Sequence, residues 1–191
     1  GIFMRKIIEE LLTKCKAVPF SEPTEGGHFY KVMTQQFKLP NGEVITREFL
    51  TKKPAAVVVP VTSDGNVICI IQPISLSAEG SLIEVPAGYA EDNESSARTA
   101  MRELVEETGY VPVEVKYLGK HYQDPGSIKA PVNVFVALGC ERKHKQKLDK
   151  DEFITTLEIP KDEIKRLMDE SEIKDANTFI ALTKALLASY I

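Results

Sequence analysis

The chain has 191 residues, of which 43% are hydrophobic and 27% are charged. This length allows one substantial core, and the composition argues against a disordered or disulfide-stapled chain. The longest apolar run, residues 54–61, is far shorter than the roughly 20 residues of a membrane-spanning helix. Three scattered cysteines and an N-terminus without an apolar export signal favour a reducing compartment. We therefore expect a cytoplasmic protein with no membrane partner.

The first third of the chain predicts a helix and two hairpins. Apolar residues at helical spacing predict a helix over residues 4–16. Residues 28–51 predict an antiparallel hairpin, because an Asn-Gly turn signal separates two strand-like runs. Residues 55–61 and 67–72 are β-branched runs around a short polar turn, which predicts a second hairpin with strands buried on both faces.

The remaining sequence alternates between strands and helices. Residues 94–108 lack Gly and Pro and predict a helix, with Asp92 or Asn93 as its N-cap and Gly109 at its end. The other predicted elements are strands over 81–86, 111–119, 131–138 and 153–159, a Lys-rich loop over 142–150, and helices over 161–169 and 177–190, the last capped by Asn177.

Negative charge is concentrated around the helix over residues 94–108. The net charge is −4, and residues 91–110 carry six acids against two arginines, so the rest of the chain is neutral in sum. A chain with this balance and no basic stripe is not expected to bind nucleic acid. Catalytic or binding residues are therefore expected in this acidic segment.

Three glutamates share one face of this predicted helix. Glu103, Glu106 and Glu107 span an arc of roughly 100°, about 120° away from the apolar stripe that would face the core. Like charges at this spacing repel each other, so a divalent cation would stabilise them, and oxygen ligands favour Mg²⁺ or Mn²⁺. A solvated acidic face explains the same residues. The apolar stripe consists of Ala97, Ala100, Met101, Leu104 and Thr108.

A wider pattern surrounds these glutamates. Gly88 is followed after five residues by Glu94, and after seven more by Arg-Glu-Leu-Val-Glu-Glu-Thr-Gly-Tyr at 102–110. This pattern resembles the signature box of the Nudix hydrolases at every specified position, with Tyr110 where the family usually has an aliphatic residue. The resemblance implies an α/β fold, an α/β/α sandwich on a mixed sheet, and hydrolysis of a diphosphate with Mg²⁺ or Mn²⁺.

The resemblance also implies roles for individual residues. Glu103 and Glu107 map onto metal ligands, and Glu106 joins or supports them. The general base comes from the box or from a later loop, so Glu106 and Glu152 are both candidates, although acids at a strand entrance are often simply solvated. The carbonyl of Ala87 is a further implied ligand, and the residues that support the box are Gly88, Glu94, Arg102 and Gly109.

Residues 82–88 and Pro125 resemble the ADP-ribose and nucleotide-sugar pyrophosphatase branch. This resemblance implies a substrate such as ADP-ribose, with AMP and ribose 5-phosphate as products, and makes Pro125 a candidate substrate-binding residue. Ordinary turn chemistry also explains a loop proline. Residues 72–74 are Gln-Pro-Ile where many members have Gln-aromatic-Arg. GDP- or UDP-sugars therefore stay open as substrates.

The sequence divides into residues 1–51, a helix and hairpin extension, and residues 52–191, the Nudix domain. In the resembled branch a similar hairpin builds domain-exchanged dimers, so we expect a homodimer; a hairpin that covers its own domain is the alternative. Two other functions remain. A nucleoside triphosphate house-cleaning hydrolase usually lacks the hairpin, and a non-catalytic nucleotide-sugar sensor tends to have a damaged box.

Overall fold

A computed structural model describes residues 1–27 and 29–191. His28, where the first predicted hairpin begins, lies outside the described residues. The elements are α1 (Ile2–Lys14), β1 (Val32–Lys38), β2 (Val44–Thr51), β3 (Ala55–Thr62), β4 (Val67–Pro73), β5 (Ser81–Glu84), β6 (Ala87–Tyr89), α2 (Ser96–Thr108), β7 (Tyr110–Val111), β8 (Glu114–Tyr122), β9 (Ile128–Lys129), β10 (Pro131–Arg142), β11 (Thr155–Ile159), α3 (Lys161–Asp169) and α4 (Ala176–Leu187).

The larger sheet is mixed and carries helices on both faces. Its strand order is β11-β4-β3-β10-β7, with β5 beside β4, β6 beside β3 and β8 beside β10. β10 runs parallel to β3, and β8 runs antiparallel to β10. Val57 and Val59 of β3 belong to the core shared with α1, α3 and α4, whereas Ala56 and Val58 pack with α2. The predicted α/β/α sandwich is therefore confirmed.

The second predicted hairpin exists only at its turn. Among the described residues, β3 and β4 pair at Val61 and Val67 and nowhere else. Beyond this pair β3 continues along β6 and β10, while β4 continues along β5 and β11. Local turn signals predict a turn, but they carry no information on partners that come from distant parts of the chain. The prediction that both strands are buried on both faces is confirmed.

The two predicted helix caps are wrong by a few residues. α2 is capped by Ser95 rather than by Asp92 or Asn93, and α4 is capped by Asp175 rather than by Asn177. In each helix the cap directly precedes the first helical residue, so its side chain accepts a hydrogen bond from the amide three residues further on. Asn177 instead lies inside the first turn of α4.

The N-terminal helix and the hairpin pack in different places. Ile8 of α1 is buried in the main core. β1 and β2 form the predicted antiparallel hairpin, and the short strand β9, which was not predicted, extends it to a separate three-stranded sheet. Every residue of β1 is exposed. None of the described helices is long and apolar enough to cross a bilayer.

Candidate active site

The site is built where α2 packs against β3 and β6. Ala100 and Leu104 bury the inner side of α2, whereas Ala97, which was predicted to lie in the same stripe, is exposed near the start of the helix. Gly109 ends α2 with a left-handed backbone, φ 76°, and its N–H donates to the carbonyl of Val105. The candidate residues on α2 therefore lie between a fixed start and a fixed end.

Arg102 joins the loop before α2 to the helix itself. Its guanidinium donates two hydrogen bonds to Glu94, at 2.9 and 3.1 Å, and one to the carbonyl of Tyr89 at 3.0 Å. The same group donates to Glu103 at 2.9 Å and to Glu106 at 3.2 Å. The hydrogen bonds from Arg102 to Glu94 are the main reason why the pKa of Glu94 falls to about 2. One cation thus holds three carboxylates in place.

The three glutamates of α2 are not equally exposed, so the alternative of a uniformly solvated acidic face does not describe them. The side chain of Glu106 is 34% exposed and that of Glu103 is 12% exposed, whereas Glu107 is buried at 4%. Helical spacing places Glu107 away from the apolar stripe, but it carries no information on neighbouring strands. In the structure, strand β6 packs against α2. Glu107 is therefore a buried acid.

Burial changes the acidity of this group. It raises the pKa of Glu107 to about 9, with smaller contributions from the charges of Glu103 and Glu152. Burial also raises the pKa of Glu103 to about 7, against the opposing effect of Arg102. A hydrogen bond from the backbone of Ala87 lowers the pKa of Glu107 in part. The site consequently contains carboxyl groups that a nearby positive charge would ionise.

The surroundings of Glu103 and Glu107 fit a hard divalent cation. Oε2 of Glu107 is buried and has no hydrogen-bond partner among the described residues. A Cβ atom on Gly88 would lie 2.1 Å from Oε1 of Glu103, so only glycine leaves room for this carboxylate. The available donors are oxygens, which Mg²⁺ and Mn²⁺ prefer. Members of the family that the sequence resembles generally need a divalent metal.

The donors are not already gathered into a cage. Across residues 1–27 and 29–191, no three acidic, His or Cys side chains are arranged as a ready metal site. Arg102 holds Glu103 and Glu106 by hydrogen bonds. A cation bound here would therefore compete with Arg102 for those carboxylates.

Glu152 faces the same place from a different element. It lies in the loop between β10 and β11, and its Oε2 accepts a hydrogen bond of 2.9 Å from the N–H of Asp149. Its charge raises the pKa of both Glu103 and Glu107. The structure thus brings the two candidate general bases, Glu106 and Glu152, to one region, and the choice between them stays a prediction.

A cavity of about 390 Å³ borders the backbone of Ala87 and Gly88. Gln72 and Glu84 lie in its wall, with Nε2 of Gln72 donating to Oε1 of Glu84 at 3.2 Å. Burial and the charge of Asp175 raise the pKa of Glu84 to about 7. Glu84 is not among the site residues predicted from the sequence, although an acid in an otherwise apolar strand is a recognisable signal.

Pro125 does not line this cavity. It lies in a neighbouring cavity of about 360 Å³ whose wall includes Phe37 and Phe49 of the hairpin and Tyr122. The two cavities share Ile128. Pro125 thus lies between the hairpin and the cavity beside Gly88, and its contact with substrate stays a prediction.

Comparisons with known proteins agree with the fold. A model of the NUDIX domain matches residues 51–186. The chain is 33% identical to a methanol dehydrogenase activator of Bacillus methanolicus, over 94% of each chain. It is 32% identical to an ADP-ribose pyrophosphatase of Bacillus subtilis (strain 168), over 82% of this chain and 84% of that one. The crystal structure of an ADP compounds hydrolase superposes with a TM-score of 0.72 at 21% identity, covering 87% of this chain and 90% of the other.

These matches confirm the resemblance that the residues of the box carried. The chain belongs to the Nudix family of diphosphate hydrolases.

Proposed function

We propose that this protein cleaves the diphosphate of a nucleoside diphosphate sugar, with ADP-ribose as the first candidate and AMP and ribose 5-phosphate as products. The observation that carries the proposal is the buried carboxyl of Glu107. Among the described residues its Oε2 has no hydrogen-bond partner, and it lies on the same helix as Glu103, which packs against Gly88 in the wall of a cavity. A hydrolase that acts on a charged diphosphate needs such acidic ligands for a cation.

The cation in this proposal is Mg²⁺ or Mn²⁺, with Glu103, Glu106, Glu107 and the carbonyl of Ala87 as its ligands. When bound, it neutralises phosphate oxygens and makes a water molecule easier to deprotonate. Gly88 allows Glu103 to lie close to the backbone. Arg102 orients the carboxylates of Glu103 and Glu106.

Glu152 is the proposed general base. It removes a proton from the water whose oxygen attacks one phosphorus, while the bond between that phosphorus and the bridging oxygen breaks. Nucleoside monophosphate and sugar phosphate leave. Glu106 is the alternative base, because it lies on the same helix as the proposed ligands and is the most exposed of the three glutamates.

The cavity bordered by Ala87 and Gly88 is the proposed place for the sugar phosphate. Its size of about 390 Å³ falls within the range of roughly 300–1,000 Å³ that is usual for small-molecule sites. Lys52 and Lys53 line one part, and Gln72 and Glu84 line another. Cations suit phosphate oxygens, whereas an amide and a carboxyl suit sugar hydroxyls. These groups do not distinguish ADP-ribose from GDP- or UDP-sugars.

We also propose that the protein is a cytoplasmic homodimer in which the hairpin of β1 and β2 meets a second copy. Small sheets of this kind are marginally stable when both faces are in water. β1 is exposed throughout, and its apolar residues Val32, Met33 and Phe37 are all exposed. A second copy would cover such a surface.

A substrate panel tests the reaction. Purified full-length protein is incubated with Mg²⁺ and, separately, ADP-ribose, GDP-mannose, UDP-glucose, ATP and 8-oxo-dGTP, and the products are separated by chromatography. We expect cleavage of at least one diphosphate sugar to a nucleoside monophosphate and a sugar phosphate. A preference for the triphosphates over every sugar would favour the house-cleaning alternative, and binding without cleavage would favour a sensor.

A further inference from the structure

The loop between β10 and β11 is fastened to the end of α2. The N–H of Lys147 donates to the carbonyl of Glu106 at 2.8 Å, and the N–H groups of Lys143 and His144 donate to the carbonyl of Gly109 at 3.0 and 3.1 Å. The last carbonyls of a helix have no partner within the helix. The loop therefore supplies partners at the end of the helix that carries the proposed metal ligands.

Gln146 makes the most connected side-chain contact in this loop. Its Nε2 lies 2.7 Å from the carbonyl of Glu107, 3.0 Å from the carbonyl of Ile154 and 3.3 Å from Oγ1 of Thr156. A primary amide nitrogen has two N–H groups in a fixed plane, so it can join two carbonyls at once. Gln146 thereby ties α2 to the entrance of β11.

Along the chain, Glu152 lies between Gln146 and Ile154, whose carbonyl accepts a hydrogen bond from the side chain of Gln146. Its own turn is closed twice, since the N–H of Glu152 donates to the carbonyl of Asp149 and the N–H of Asp149 donates to the carboxylate of Glu152. Both of these hydrogen bonds lie within the turn, so the turn is attached to α2 only through the parts of the loop on either side of it. Before the turn, the N–H of Lys147 and the side chain of Gln146 bond to the carbonyls of Glu106 and Glu107 on α2. After the turn, the carbonyl of Ile154 accepts from the same Gln146 side chain.

We propose that Gln146 is a positioning residue that sets the placement of Glu152 against the glutamates of α2. The inference rests on the proposed function, in which Glu152 is the general base. A displacement of about 1 Å of a catalytic group can cost up to 10²-fold in rate, so loss of the Gln146 amide is expected to slow turnover even though Gln146 touches no reacting atom.

The test is a double-mutant cycle in the full-length protein with Mg²⁺ and the diphosphate sugar that the panel identifies. Gln146→Met keeps the length of the side chain and removes its donors. Alone, it should lower kcat about 10- to 100-fold with little change in KM. Combined with Glu152→Gln, it should lower kcat no further than Glu152→Gln alone, because the group that it positions is already disabled. Lys145→Leu, an exposed neighbour, should leave kcat unchanged.

The outcomes separate the two proposals. If Glu152→Gln is impaired but Gln146→Met is normal, or if Gln146→Met slows both backgrounds equally, Gln146 does not act through Glu152. If Glu152→Gln itself turns over normally, the assignment of the base is wrong and the positioning role is overturned with it. Should Gln146→Met fail to fold by circular dichroism, Gln146→Asn, which keeps the amide on a shorter side chain, is placed in the same cycle and judged by the same criteria.

Discussion

Glu107 has the most unusual environment of the acidic residues at the site. It is buried, one carboxyl oxygen lacks a partner among the described residues, and the cation Arg102 bonds to its neighbours Glu103 and Glu106. An ionised carboxylate in such a place is costly unless a positive charge compensates it. A bound cation would supply that compensation. Without a cation, the carboxylate that the proposed function requires therefore lowers the stability of the fold.

We expect Glu107→Gln to fold and to lose metal-dependent turnover by a factor of about 10² or more, since loss of one charge-stabilising group typically costs 10²–10³. Steady-state rates with and without Mg²⁺ or Mn²⁺ measure the effect. Glu106→Gln is expected to behave similarly, and Glu10→Gln, an exposed acid on α1, is the control. Near-normal turnover in both folded site variants would exclude these carboxylates as metal ligands.

The raised pKa of Glu107 predicts how the metal-free protein responds to pH. Its pKa is about 9 in the folded chain, against about 4.3 in an unfolded one, so the unfolded state loses its proton first as pH rises. The contribution of Glu107 to stability is therefore complete below about pH 4.3 and is lost progressively up to about pH 9. Thermal unfolding in EDTA should show a smaller decrease in Tm between pH 5 and 9 for Glu107→Gln than for the wild type. Parallel curves would show that Glu107 is already ionised.

At the scale of one residue, the sequence predicted which groups meet but not how deeply they are buried. The box identified Glu94, Arg102 and the three glutamates of α2, and the structure brings them together. Spacing on a helix gives an angle, whereas burial depends on the partner that covers that angle. The partner of Glu107 is the short strand β6, which was not predicted as a strand.

Among the elements, the junction of α2 with the loop after β10 depends on Gly109. A Cβ atom at this position would lie 2.0 Å from the carbonyl oxygen of His144, and the backbone is left-handed with φ 76°. Gly65 has a similar backbone, φ 83°, but nothing within 4 Å of its Cβ position. A comparison of substitutions at Gly65 and Gly109 therefore separates the cost of backbone strain from the cost of close packing.

Gly65→Ala should lower the free energy of unfolding by about 1–2 kcal/mol, the usual cost of a left-handed non-glycine residue. Gly109→Ala should lower it by more and should also reduce kcat, because His144 must move and it belongs to the loop that carries Glu152. Urea unfolding and steady-state kinetics on both variants test this. Equal losses of stability and unchanged kcat in Gly109→Ala would show that the loop adapts without cost.

The elements themselves were predicted well where the signal is local. α1, the first hairpin, α2 and α3 follow from spacing, an Asn-Gly turn and a terminal glycine. The pairing of β3 with β10 joins residues more than 70 positions apart, and no local pattern reveals such a partner. For the same reason the sequence predicted neither β9 nor the separation of β3 from β4.

At the scale of the whole molecule, the hairpin of β1 and β2 is notable because every residue of β1 is exposed to solvent. α1 packs into the main core through Ile8, so removal of all residues up to 51 would damage that core as well as the hairpin. Substitutions on the hairpin surface are therefore the sharper test of the proposed dimer. Neighbouring residues on a strand point to opposite faces, so two adjacent changes can charge both faces at once.

Val32 and Met33 of β1 are 67% and 44% exposed and are neighbours on the strand. If a second copy covers the hairpin, Val32→Asp combined with Met33→Asp places unpaired charges in that interface, which is strongly unfavourable. We expect light scattering to show a dimer for the wild type and a monomer for the double variant, with turnover of the diphosphate sugar reduced together with assembly. Ile2→Asp, a change at an apolar position on α1 that is 90% exposed, should remain an active dimer. A wild-type protein that is monomeric and fully active would instead show that the hairpin covers only its own chain.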